Sequence, residues 1–192
     1  LGVGQLKIGV SSTLCKYMLL PYLKEFIHRN PHISISIECQ STNETLKLLD
    51  DDKIDIGLIG KPASLKTFNF YYLDNIEDIF VTTKDYLRNL SARGVKKSEI
   101  LQNSTLMLLD KGNMTRKYID DYLQENQIHV KDSIDISNMD LLIDFAKIGV
   151  GVACVIKSIV SKELADGTLI EIPLGIPIHK REVGFAYKES SK

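Results

Sequence analysis

The sequence lacks any excess of charge of one sign. Lys and Arg total 24 against 25 for Asp and Glu, a net charge of −1, with no long run of either. A nucleic-acid footprint needs clustered basic side chains, so this chain alone is not expected to bind DNA specifically. Long apolar runs are missing too. The longest fall well short of the roughly 20 residues of a membrane span, and no signal peptide opens the chain. Leu1 is not a natural start, so the chain reads as a fragment or a processed product. Cysteine is scarce: Cys15, Cys39 and Cys154 are the only three, at separations that fit no zinc pattern. An odd, sparse set points to a reducing, cytoplasmic compartment. Cys39 ends an apolar strand and Cys154 lies within an apolar run, so both read as buried packing residues. Cys15 falls in the first turn of a helix, where the dipole lowers a thiol pKa, which leaves a redox role open to it.

The chain also lacks catalytic signatures. It has no Gly-x-Ser-x-Gly elbow, no phosphate-binding P-loop and no His-Glu-x-x-His. His28, His32, His129 and His179 lie at predicted helix ends or in loops beside polar neighbours and read as surface residues. The acidic run Asp50-Asp51-Asp52 sits at a predicted helix end with no further acids at calcium-loop spacing, so it reads as a solvated turn. No enzyme activity, metal or cofactor is expected.

What is present is a repeated architecture. Gln5 to Val10 reads as a buried strand ending in Ser11, Ser12 and Thr13, followed by a helix with Leu14, Met18, Leu19, Tyr22, Phe26 and Ile27 near one face. Pro21 either kinks that helix or starts a second one. Ile33, Ile35 and Ile37 alternate with polar residues as a strand, Ser41 or Thr42 caps the next helix, and residues 54–60 form a third strand. Residues 70–73 and 78–83 are two more strands, and the polar, basic stretch from Lys84 to Glu99 reads as the crossing into a second lobe. There the pattern returns: a strand at 105–109, a turn at 110–114, a helix from Thr115 to Gln124, a strand and cap at 134–138, a helix from Met139 to Lys147, and a strand closing at Ile156. A helix at 158–164 and strands at 168–172 and 182–187 complete the tail. Strands alternating with helices imply right-handed crossovers and parallel sheets. The expected fold is therefore α/β with two lobes: residues 1–83 plus 160–192 as the first, and 84–159 as the second.

The functional residues expected from this order are those at the strand ends. Ser11, Ser12 and Thr13 at the first strand–helix junction, and Gly112, Asn113, Met114 and Thr115 at the equivalent junction of the second lobe, offer hydroxyls and helix N-termini that suit a small anion or carboxylate. Gly60 and Lys61 close the third strand. Lys61 reads equally as a counter-charge or as a solvated loop lysine before Pro62.

Taken together, the chain resembles the effector-binding domain of LysR-type transcriptional regulators. The resemblance is carried by the opening Gly4-Gln5-Leu6-Lys7-Ile8-Gly9, by Leu19-Leu20-Pro21 with Phe26 and Asn30-Pro31, and by Asp55-Ile56-Gly57-Leu58-Ile59. Gly112-Asn113-Met114-Thr115-Arg116 and Gly149-Val150-Gly151-Val152-Ala153 extend it over essentially the whole chain. It implies two Rossmann-like lobes joined by two crossovers, of the type II periplasmic-binding-protein kind. It implies a small-molecule effector, whether organic acid, amino-acid derivative or oxyanion, contacted by Ser11, Ser12, Thr13, Gly60, Lys61, Asn113, Met114, Thr115, Ser137 and Asn138. It further implies a homodimer or homotetramer that meets promoter DNA only through an amino-terminal winged helix-turn-helix absent from this chain, with no membrane partner. Asn113 and Met114 stand where the family's loop variant has Ser and Gly, and Met114 narrows the expected pocket. A solute-binding protein of a transport system is the alternative on the same architecture, with an α/β transferase third.

Overall fold

The computed structural model describes residues 4–65 and 67–189. The chain separates into two compact units, Leu1–Asn75 with Arg181–Lys192, and Ile76–Lys180. The first begins with β1 (Gln5–Val10), then α1 (Ser12–Leu14), a π-helical turn (Cys15–Leu19) and α2 (Leu20–Arg29). The π turn is the chain's answer to Pro21. A proline inside a helix has no N–H to give and its ring collides with the carbonyl four residues back. Widening the preceding turn, so that Leu20 N–H bonds to the Cys15 carbonyl, leaves Pro21 in the opening positions of α2 without breaking the helical path. Next come β2 (Ser34–Cys39), α3 (Thr42–Asp50, capped by Ser41), β3 (Ile56–Gly60) and β4 (Phe68–Ile76).

The second unit holds β5 (Asp78–Thr82), α4 (Lys84–Ala92), β6 (Thr105–Leu109), α5 (Met114–Glu125), β7 (Asp132–Ile136), α6 (Met139–Lys147) and β8 (Val152–Ile156). A 3-10 turn, α7 (Ser161–Asp166) and β9 (Ile170–Glu171) come next, before β10 (Arg181–Lys188) returns to the first unit. The sheets run β2-β1-β3-β10-β4 and β7-β6-β8-β5-β9. In each, the first three strands are parallel and the fourth, contributed by the crossing chain, is antiparallel.

These boundaries correct the expected ones. Local composition assigns residues 78–83 to the first lobe and 84–99 to the crossing, but β5 is buried along its whole length and hydrogen-bonds β8 on one side and β9 on the other. An apolar strand that needs both edges covered takes its place where the partners are, so the crossing precedes it and Thr83 caps α4 instead. Residues 160–180 likewise stay in the second unit: Ile172 N–H bonds to the Phe80 carbonyl at 2.8 Å, and Tyr122 donates its hydroxyl to Ile176.

In the first unit α3 lies unusually close to the sheet. Thr45, fully buried, presses its methyl toward Gly9 and Gly57, where a Cβ would come within 2.8 and 2.7 Å of it. Both strands need glycine there for that reason. The opposite face, bearing Leu6, Ile8 and Ile56, receives Leu19, Leu23 and Phe26 from the π turn and α2.

Gly57→Ala is expected to lower stability by about 1–3 kcal/mol through overpacking. Adding Thr45→Ser, which removes the methyl in the way, should recover most of that loss. Urea-unfolding midpoints of the two single variants and the double variant check the coupling.

Candidate functional site

In each sheet the first of the three parallel strands, β1 or β6, lies between the second on one side and the third on the other. The crossovers therefore run in opposite directions from it, and the carboxyl ends of the first and third strands form a topological switch point, the usual ligand position in open α/β sheets. In the first unit this brings together the end of β1, with Ser11, Ser12 and Thr13, and the end of β3, with Gly60 and Lys61. In the second it brings together the end of β6, with Gly112 to Thr115, and the end of β8. Ser137 and Asn138 end β7, on the far side of β6 from β8.

The caps define what remains for a ligand. Ser11 Oγ accepts from Leu14 N–H at 3.2 Å, and the Ser11 carbonyl accepts from Cys15 N–H at 2.9 Å. The first-turn N–H groups of Ser12 and Thr13 have no acceptor within the helix. Gly112, at φ +103°, turns the chain from β6 into α5 in a conformation favouring glycine. Asn113 Oδ1 takes the Thr115 N–H at 2.8 Å, which leaves Thr115 its hydroxyl and Met114 its N–H. Asn138 Oδ1 caps α6 by accepting from Leu141 N–H at 2.9 Å.

Charge separates these helix starts. The first turns of α3 and α6 carry Glu44 and Asp140, which oppose an incoming anion, whereas those of α1 and α5 carry no acid. Of these four helices, the two without an acid are the ones that come directly after β1 and β6.

Lys61 is already engaged. Its ammonium is 3.4 Å from Glu182 and stands over the Phe70 ring, and its N–H donates to the Glu182 carbonyl at 2.8 Å. The second unit repeats the device with Lys157, a residue that sequence reasoning misses. Its N–H donates to the Glu77 carbonyl at 2.9 Å, and its ammonium lies 3.2 Å from Glu171 and 3.9 Å from Glu77. The hydrogen bond to Glu171, then the charges of Glu171 and Glu77, raise its pKa. In each unit the residue after the third parallel strand is thus a lysine tied to a glutamate beside a point where the chain crosses. The shared signal in the sequence is a lysine directly after an apolar strand.

Arg116 belongs to the second-lobe loop motif, and the structure gives it a bracing role that the motif does not disclose. Only 7% exposed, it donates to Asp120 at 2.9 Å, to Asp135 at 2.6 Å and to the Leu109 carbonyl at 2.9 Å. One guanidinium therefore braces α5, β7 and the end of β6. Burial, the largest single influence, pulls its pKa down, and the bonds to Asp135 and Asp120 more than reverse this, so the net shift is upward.

Two expectations about cysteine are corrected. Cys39 is exposed, because β2 is an edge strand and Cys39 is its last residue; Cys154 is buried. The Cys15 thiol pKa is raised, not lowered: burial, the charge of Cys39 and a hydrogen bond to it outweigh the helix terminus. The histidines are all exposed, as are Asp50, Asp51 and Asp52. Among the described residues no three His, Cys, Asp or Glu are grouped so as to hold a metal ion, and no helix is long and apolar enough to cross a membrane.

Comparison with known proteins places this arrangement. The family model described as the LysR substrate binding domain matches residues 2–192. The "Uncharacterized HTH-type transcriptional regulator YeiE" of Escherichia coli is 23% identical over 175 residues, covering 91% of this chain and 58% of that protein. The chain thus spans little more than half the length of that relative. The Synechocystis CcmR regulatory domain in complex with 2-PG superposes with a TM-score of 0.81 at 18% identity, over 98% of this chain and 89% of that one. The sulfate-bound OxyR2 E204G regulatory domain of Vibrio vulnificus does so with a TM-score of 0.78 at 16% identity, over 98% and 89%. These likenesses show a shared two-lobed α/β fold of the type II periplasmic-binding kind.

Arg116→Ala should cost about 2 kcal/mol, since it removes three hydrogen bonds from a mostly buried cation. A fall in the denaturation midpoint, with an unchanged midpoint in Arg88→Ala as the exposed control, checks it.

Proposed function

Since the chain belongs to the LysR substrate binding domain family, we propose that it senses a small anionic effector for a transcriptional regulator. The observation that carries this reading is the pair of acid-free helix starts after β1 and β6, each at a switch point and each lined by hydroxyls and first-turn N–H groups. The sulfate and the 2-PG in the two related structures support an anion as the class. Ser11, Ser12, Thr13 and Gly60 would supply the contacts of the first unit, and Met114 N–H and Thr115 those of the second. Asn113 acts by fixing the α5 start, Lys61 by fixing β10 to β3, and Ser137 and Asn138 stand at the periphery beside Asp140.

A ligand shifts a regulator only by binding one arrangement better than another. We place promoter DNA binding in the part of the relatives' length that this chain does not match, and the whole protein in the cytoplasm, where that DNA is.

Oligomer contacts are proposed on two exposed apolar stripes. Leu141, Phe145 and Ile148, spaced four and three residues apart, stand 43%, 39% and 74% exposed along α6 and its end. Leu20 and Ile27, seven residues apart on one face of α2, are each 50% exposed. Packing α2 of one copy on α6 of a second buries both stripes about a two-fold axis.

Two measurements check these readings. In a thermal-shift screen against small carboxylates, amino-acid derivatives, sulfate and phosphate, a ligand of the folded chain raises its melting temperature. The response should be lost in Ser12→Ala and Thr115→Val; a hit undiminished in both places the site elsewhere. In sedimentation, Phe145→Glu and Ile148→Glu should convert a wild-type dimer to a monomer, and a dimer unaffected by both removes α6 from the contact.

A further inference from the structure

The first unit brings two of the three cysteines together, and the fold shows why. The register pairs Leu6 with Ile35, Ile8 with Ile37 and Val10 with Cys39. In a parallel ladder such pairs point to one face, here the face on which the π turn and α2 pack. Gln40 N–H bonds to the Val10 carbonyl at 3.1 Å, holding the end of β2 level with the end of β1. Cys15 opens the π turn one helical turn beyond Ser11, on that same side, and its thiol interacts with that of Cys39.

We propose that Cys15 and Cys39 form an oxidisable dithiol site that a small-molecule disulfide closes into a protein disulfide. The two sulfurs differ in access: Cys39 is exposed and Cys15 is partly buried. A reagent therefore meets Cys39 first. As thiolate, Cys39 attacks one sulfur of the reagent, its S–S bond breaks, and one thiolate leaves and takes a proton from water. Cys15 then gives its proton to solvent and attacks the Cys39 sulfur, expelling the second reagent thiolate. Two protein thiols are oxidised to one disulfide, and one disulfide is reduced to two thiols. The bond so formed has an S–S length of about 2.05 Å.

A structural zinc site is a poorer reading of the pair. It takes four ligands, and among the described residues no third Cys, His, Asp or Glu joins these two in a metal-holding group. Cys154 is buried in β8 of the other unit and serves as an internal control. Should the effector reading hold, the disulfide pins the turn carrying Ser11, Ser12 and Thr13 to β2, but the chemistry does not depend on that reading.

The test equilibrates the chain with oxidised and reduced glutathione, quenches with acid, alkylates under denaturing conditions and maps peptides by mass spectrometry. The expected product is a wild-type chain lighter by two hydrogens, with a Cys15–Cys39 linked peptide, alkylated Cys154 and no retained glutathione. Cys15→Ser should stall with glutathione on Cys39. Retention of glutathione on Cys39 in the wild type, three free thiols under oxidising buffer, or a linked peptide containing Cys154 would each overturn the proposal. Because no effector is present, the result stands apart from the outcome of the thermal-shift screen.

Discussion

The arrangement at the strand ends depends on one constraint: in each unit the chain lays down its first strand and then has to build on both sides of it. Right-handed crossovers satisfy this only with one helix on each face. In the first unit α2 and its π turn take the face of Leu6 and Ile8, and α3 takes the face of Gly9 and Gly57. Ser11, Ser12 and Thr13 follow the end of β1, where the chain turns into the first of these helices. Thr45, seated against two glycines, fixes how closely α3 approaches.

The side-chain charges near these ends serve the fold. Lys61 and Lys157 join the third parallel strand of each sheet to the start of the crossing strand, through backbone and side chain alike. Arg116 ties α5 to β6 and β7. With Lys61 and Arg116 paired, the helix starts of the candidate site offer backbone N–H groups and hydroxyls to an anion. Such donors recognise through fixed direction.

The two corrections concerning cysteine have one origin. An apolar run marks Cys39 as a strand residue, but whether that strand is central or at an edge is set by sheet order, and β2 is at the edge. The dipole argument for Cys15 is sound for an isolated helix. It is outweighed by burial and by a second thiol that arrives from a residue far along the chain.

By itself the sequence determined the succession of elements: the alternation in Ile33 to Ile37, the caps at Ser41 and Asn138, and the helix from Met139 to Lys147 all come from local periodicity and hydrogen-bonding chemistry. It also placed the polar strand ends at Ser11 and Asn113, because a buried strand must stop before a hydroxyl or amide can cap the next helix. Only the tertiary structure decided where the chain crosses, since β5 is assigned by its partners β8 and β9 and not by its own composition. The same holds for the pairing of Lys61 with Glu182, of Arg116 with Asp135 and of Cys15 with Cys39. Each joins residues well separated along the chain, and no local pattern encodes a contact that exists only once the sheet has formed.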